Sequence, residues 1–153
     1  GQGGVIALAG WLTVRPDLRE LTLIAWWGVL AATLTICGIY PVTQIYQIDE
    51  DLARGDVTFA AWTGPKRALW FAMSLQALGA ALMVWLIYKM FGTAQAILIG
   101  LAYGATLLVL LHWSFTFDET AIIANYRRAM RITFVTSLAF FGFLVLHLFG
   151  LLQ

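Results

Sequence analysis

The stretch Tyr40-Pro41-Val42-Thr43-Gln44-Ile45-Tyr46-Gln47-Ile48-Asp49-Glu50-Asp51-Leu52-Ala53-Arg54-Gly55-Asp56-Val57-Thr58 decides how this chain is read. Its first residues close an apolar run. Its middle then places four carboxylates, Asp49, Glu50, Asp51 and Asp56, directly behind that run, in a chain with only eight acids. An acidic cluster at a lipid boundary is costly unless a cation sits in it, and the available cations are divalent metal ions and the nearby Lys and Arg groups.

On either side of this stretch the chain is strongly apolar. Hydrophobic residues make up 61% of it, charged residues 11%, and the mean hydropathy is +0.85, whereas about a quarter of the residues of a soluble domain are charged. Such a chain belongs in a lipid bilayer. A hydrocarbon core of roughly 30 Å takes about 20 helical residues to cross. Apolar runs near 21–43, 68–90, 95–113 and 131–152 meet that length, and the run 4–14 is a partial span. The expected fold is therefore an all-α, polytopic transmembrane helix bundle with four full spans and one partial span.

The short first segment and the Gly at position 1 make the chain read as the back part of something longer. Its start lacks the charged region and cleavage pattern of a secretory signal peptide. A net charge of +1, with the bases scattered rather than striped, points to no polyanionic partner, so nucleic acid is not expected. The single Cys37 lies within an apolar span, permits no internal disulfide and reads as a small packing residue.

Successive spans put alternate connections on opposite sides of the membrane. Segments 44–67 and 114–131 share one side and carry Arg54, Lys66, Arg67, Arg127, Arg128 and Arg131, against Arg15, Arg19 and Lys89 on the other. The excess of bases makes the first side cytoplasmic. Both connections on that side are long and polar, with helical pieces expected around 44–54 and 121–130, and connections of that kind commonly carry function. Gly55 is a candidate helix stop, and Gly64-Pro65 punctuates the chain before the next span. Pro41, late in its span, reads equally as a kink or as the helix end.

If 44–54 continues as helix, Gln44, Gln47 and Asp51 share one face, Arg54 follows, and Asp49 and Glu50 point elsewhere. Magnesium takes one or two carboxylates and completes its shell with water and phosphate oxygens. Asp51 is a candidate ligand of that type, with Gln47 assisting. Arg54, Lys66 and Arg67 are placed to meet phosphate charge, Arg through paired hydrogen bonds and Lys as a point charge. The competing reading is an interfacial loop whose acids pair with its own bases.

Gln47-Ile-Asp-Glu-Asp51-Leu-Ala-Arg-Gly55-Asp-Val-Thr58 resembles the second aspartate-rich motif of the UbiA superfamily of intramembrane prenyltransferases, whose pattern is Asp-x-x-x-Asp-x-x-x-Gly-x-x-Thr. Asp51, Gly55 and Thr58 stand in register with its second Asp, its Gly and its Thr, and Gln47 occupies the place of the first Asp. The segments Tyr-Pro-Val-Thr-Gln-Ile-Tyr-Gln and Ala124-Asn125-Tyr126-Arg127-Arg128-Ala129-Met130-Arg131 are similar to a bacterial branch in which Gln at that place is usual. The resemblance aligns the chain with the tail of the family's fifth helix and with helices six to nine. The family's first motif, Asn-x-x-x-Asp-x-x-x-Asp, does not occur in these residues.

What the resemblance implies is a magnesium-dependent transfer of an isoprenoid chain from a diphosphate donor to an aromatic or other lipophilic acceptor, at the cytoplasmic side of a bacterial inner membrane. Asp51, with Asp49 and Glu50, would hold Mg2+. Asp51 and Arg54 would be the catalytic residues, and Gln47, Lys66, Asn125, Arg127 and Arg128 would bind substrate. The loss of one anionic ligand at Gln47 and the missing first motif motivate a different expectation: a non-catalytic membrane subunit of the same fold, binding lipid, quinone or pigment in a larger complex. A third reading, a transporter of an acidic or amphipathic solute, draws only on Gln76 and Gln95.

Two histidines raise the question of haem, which a pair of imidazoles can clamp. His112 sits near the cytoplasmic end of its span and His147 lies roughly 24 Å deeper at helical rise, so the two cannot share one haem. Either alone has the chemistry to ligate a pigment, but packing or interface roles are expected for both. Trp11, Trp26, Trp27, Trp62, Trp70, Trp85 and Trp113 fall largely near span boundaries, where amphipathic rings favour the headgroup region.

Overall fold

The structure is a computed structural model that describes residues 2–14, 17, 19 and 21–150, with the side chains of 2, 3, 14 and 139 left out. Arg15, counted above among the bases of one side, and residues 151–152 of the last apolar run lie outside the described residues. The described chain is helical: α1 (Gln2–Val14), α2 (Leu23–Gln44), a 3-10 turn (Ile45–Gln47), α3 (Ile48–Ala53), α4 (Phe59–Thr63), α5 (Pro65–Phe91), α6 (Thr93–Phe115) and α7 (Ile122–Leu148). Among the described residues four helical runs are long and apolar enough to cross a membrane: Leu23–Ala53, Pro65–Phe91, Thr93–Phe115 and Ile122–Leu148. With 13 residues, α1 reaches only about 20 Å at helical rise.

The helix ends follow local chemistry. Thr22 caps α2 by accepting a hydrogen bond from the Ala25 amide at 3.3 Å. Pro65 opens α5 at a position where its missing N–H costs nothing. Pro41 lies inside α2, which runs on for one further turn before the 3-10 segment interrupts it. No Gly or Pro occurs between Ile122 and Phe141, so α7 passes without a break from its basic first turns into the apolar run. The helical piece expected at 121–130 is thus the start of the last span rather than a separate element.

Helices α2 and α5 share the most extensive contact between helices among the described residues, and each offers a glycine to it. A Cβ on Gly38 would lie 3.1 Å from the Ala72 carbonyl oxygen and 3.2 Å from the Gln76 amide nitrogen. One on Gly79 would lie 2.8 Å from Thr35 Oγ1. Small residues that let backbones meet are the main device of helix association where lipid removes the hydrophobic driving force. Beside this contact Gln76 is buried and donates from Nε2 to the Thr35 carbonyl at 2.9 Å, and Thr35 Oγ1 lies 3.4 Å from the Tyr103 hydroxyl. Gln76, one of the two residues that motivated a transporter, joins α2 to α5.

Among the described residues two apolar clusters form the core. One, near the acidic end, gathers Val42, Ile45, Leu69, Met73, Leu110 and Trp113 with small residues of α4, α5 and α7. The other gathers Ile87, Ile99, Tyr103 and Phe143 at the opposite end. His147 packs there against Phe91, with ring centroids 4.4 Å apart, and its Nδ1 is buried without a hydrogen-bond partner. Trp62, Trp70, Trp26 and Trp85 are exposed, whereas Trp113 is buried in the core.

Candidate functional site

The acidic segment folds as a helix, a left-handed turn and a second capped helix, and the spacing Asp51-x-x-x-Gly55-x-x-Thr58 encodes that path. The Asp51 carbonyl accepts hydrogen bonds from the Arg54 amide at 3.1 Å and the Asp56 amide at 2.9 Å, closing α3. Gly55 takes φ of 83°, a conformation in which any side chain would be strained. Thr58 then caps α4, its hydroxyl accepting from the Ala61 amide at 3.3 Å. Gln44 Oε1 accepts from the Ala60 amide at 3.3 Å and ties the end of α2 to the start of α4.

The 3-10 turn changes the register expected for a continuous helix over 44–54. Gln47 has φ −119° and ψ 16°, outside helical values, and is half-buried. Asp49 and Glu50 are exposed and Asp51 is buried, so the three consecutive acids divide between water and protein.

Arg54 holds most of this charge. Its Nη2 pairs with Asp51 Oδ1, its Nη1 with Glu50 Oε1 at 2.9 Å, and its Nε lies 3.8 Å from Asp56 Oδ2. Pairing of the acids with the loop's own base is therefore the arrangement of three of the four carboxylates. One group is left over: Asp51 Oδ2 is buried without a hydrogen-bond partner. A bare carboxylate oxygen away from water costs free energy until a donor or cation reaches it.

The two long polar connections meet at the same end of the bundle. Tyr46, Ile48 and Asp49 from the first, Pro65 at the head of α5, and Glu119 and Asn125 from the second line one cavity of about 150 Å³. Tyr46 and Tyr126 face each other edge to face, with ring centroids 5.1 Å apart. In the second connection the Thr120 hydroxyl and amide both donate to Asp118 Oδ1, at 2.7 and 2.9 Å, and these bonds hold the Asp118 carboxyl below its ordinary value.

Asn125 is the buried polar anchor of that connection. Its Oδ1 accepts from Trp113 Nε1 at 3.1 Å and its Nδ2 donates to the Asp118 carbonyl at 2.7 Å. Asn125→Ala leaves the buried indole N–H without an acceptor and is expected to lower unfolding stability by about 1–3 kcal/mol. Denaturant unfolding in detergent micelles measures this, and wild-type stability would mean that the indole bond is dispensable.

The remaining sequence candidates are placed less tightly. Lys66 is exposed in the first turn of α5, next to the cavity-lining Pro65. Arg127 is exposed and Arg128 half-buried near the start of α7. Tyr46, Glu119 and Tyr126 were not singled out from the sequence, because nothing in spacing links position 46 to positions some 75 residues away; only the fold brings them together.

Among the described residues no three His, Cys, Asp or Glu side chains converge as a metal site. The feature a cation would use here is the bare Asp51 Oδ2, and magnesium is an ion that takes few carboxylates and leaves the rest of its shell to water and phosphate. No family model matches this chain, and neither does any curated protein or solved structure.

Proposed function

We propose that this chain forms the diphosphate-facing part of a membrane-embedded prenyltransferase of the UbiA kind, which transfers an isoprenoid chain from a diphosphate donor to an aromatic or other lipophilic acceptor. The observation that carries the reading is the Asp51 carboxylate, buried at the end of an apolar bundle with one oxygen unpaired. Gly55 and Thr58 support it, since each has a conformational duty at the spacing that the family motif shares.

In this reading the donor diphosphate lies against the 44–67 segment on the cytoplasmic side of a bacterial inner membrane. Mg2+ would be held by Asp51, with Asp49 and Glu50 as the neighbouring carboxylates, and when bound it would supply positive charge where the diphosphate departs. Arg54 and Lys66 meet the remaining negative charge, and Arg127 and Arg128 approach from α7. Gln47 contributes an amide in place of a carboxylate. Asn125 keeps the second connection seated over the cavity. The bond from the donor C1 to the diphosphate oxygen breaks, the acceptor forms its bond to that C1, and the acceptor gives up a proton. Positioning and charge stabilisation carry the reaction, with no covalent enzyme intermediate.

The experiment is release of labelled diphosphate from an allylic diphosphate by membranes holding the full-length protein, with and without magnesium. Magnesium-dependent release above control membranes is expected. The occupation of Asp51 by Arg54 favours a second reading, a non-catalytic subunit of the same fold. No release at any magnesium concentration, together with copurification in fixed stoichiometry with a complex, would decide for that subunit.

A further inference from the structure

Arg54 and Asp51 form an ion pair whose two ends differ sharply in exposure. The Asp51 side chain is 4% exposed, whereas Arg54 is 53%, Glu50 70% and Asp56 69% exposed. The guanidinium thus reaches inward from solvent to neutralise one oxygen of a buried carboxylate while the other, Oδ2, has no partner. A buried carboxylate needs a cation, and removing one without replacing it is strongly unfavourable. Arg54 also has two further anionic partners within reach on the solvent side, Glu50 Oε1 at 2.9 Å and Asp56 Oδ2 at 3.8 Å. It can therefore leave Asp51 without being left unpaired itself.

We propose that Arg54 is a resident counter-ion of Asp51 that a divalent cation displaces, the guanidinium then keeping only Glu50 and Asp56, its partners on the solvent side. This rests on the reading of Asp51 as the metal-holding residue. A small divalent ion is a hard acceptor of carboxylate oxygens and can use both Oδ1 and Oδ2, whereas Arg54 engages Oδ1 alone. The exchange makes cation binding and release of Arg54 one event. The same guanidinium that offsets the Asp51 charge before a cation binds becomes free to meet an incoming diphosphate once the metal is in place. It also sets the affinity, because a cation binds only the fraction of molecules in which Asp51 is released, and the apparent affinity falls by that fraction.

The test is direct titration of the purified full-length protein with Mn2+ alone, following free Mn2+ by electron paramagnetic resonance. For a pair formed in about nine molecules of ten, Arg54→Gln binds Mn2+ about tenfold more tightly than wild type. Arg54→Lys, which keeps the charge and loses the fork, falls between them, and Asp51→Asn loses the site. Mn2+ affinity in Arg54→Gln equal to or weaker than wild type overturns the proposal, as does unchanged affinity in Asp51→Asn. If Arg54→Gln does not remain monodisperse, Arg54→Lys carries the comparison, and wild-type affinity there overturns it. A residue that merely stapled α3 would lower thermal stability on substitution and leave Mn2+ affinity where it was. Tighter Mn2+ binding in Arg54→Gln with no diphosphate release by wild type sustains the exchange and removes the prenyl-transfer reading. Release without the affinity change removes the exchange alone.

Discussion

Asp51→Ala in the full-length protein is expected to lower magnesium-dependent release of diphosphate from an allylic donor by at least about a hundredfold, the loss typical of deleting one preorganised electrostatic group. The protein is expected to insert and fold as before. Insertion depends on the apolar part of each helical run, and Asp51 lies at the polar end of the run Leu23–Ala53. The turn after α3 is closed by the Asp51 main-chain carbonyl, which alanine retains. Arg54 keeps Glu50 and Asp56 as partners and is half-exposed, so its separation from Asp51 leaves no buried charge behind. Wild-type release by this variant, assayed beside a membrane-extraction control, would remove Asp51 from the chemistry and with it the prenyltransferase reading.

The largest structural effect is expected at Gly38. Even one carbon there would press on the backbone of Ala72 and Gln76, which cannot yield as the tip of a flexible side chain can. Gly38→Ala is expected to cost about 1–3 kcal/mol by overpacking. Gly38→Leu must drive α2 from α5, pulling Gln76 Nε2 off the Thr35 carbonyl inside the bundle, and is expected to cost more than about 3 kcal/mol. Thermal unfolding in detergent, followed by tryptophan fluorescence, measures both. A Gly38→Leu protein that melts like wild type would show that the α2–α5 contact does not hold the bundle together.

These two sites differ in how visible they were beforehand. Asp51 could be picked out because its significance is local: it ends an apolar run, and Gly55 and Thr58 follow at a fixed spacing. Its division from Asp49 and Glu50 follows from helical periodicity, and its pairing with Arg54 from an i, i+3 relation on one short helix. Gly38 carried no such mark. A glycine in an apolar span is ordinary, and its importance lies in the residues of another helix, Ala72 and Gln76, that come to rest on it. Asn125 is intermediate. Its place on the second polar connection was legible, but the direction of its amide was not, because Trp113 and the Asp118 carbonyl consume both of its polar atoms.

The helical, membrane-crossing character of the chain was determined by sequence alone, since hydropathy summed over about 20 residues is a property of residue type and survives any arrangement of neighbours. The turn at Gly55 and the cap at Thr58 were determined in the same way, by backbone sterics and hydrogen bonds that span only a few residues. Tertiary structure decided the rest. It set which glycines meet a neighbouring backbone, it brought Tyr46 and Asp49 to one cavity with Glu119 and Asn125, and it left Asp51 Oδ2 bare. Each of these depends on where a second helix lies, and lipid-facing and protein-facing apolar residues are too alike in composition for sequence to say so.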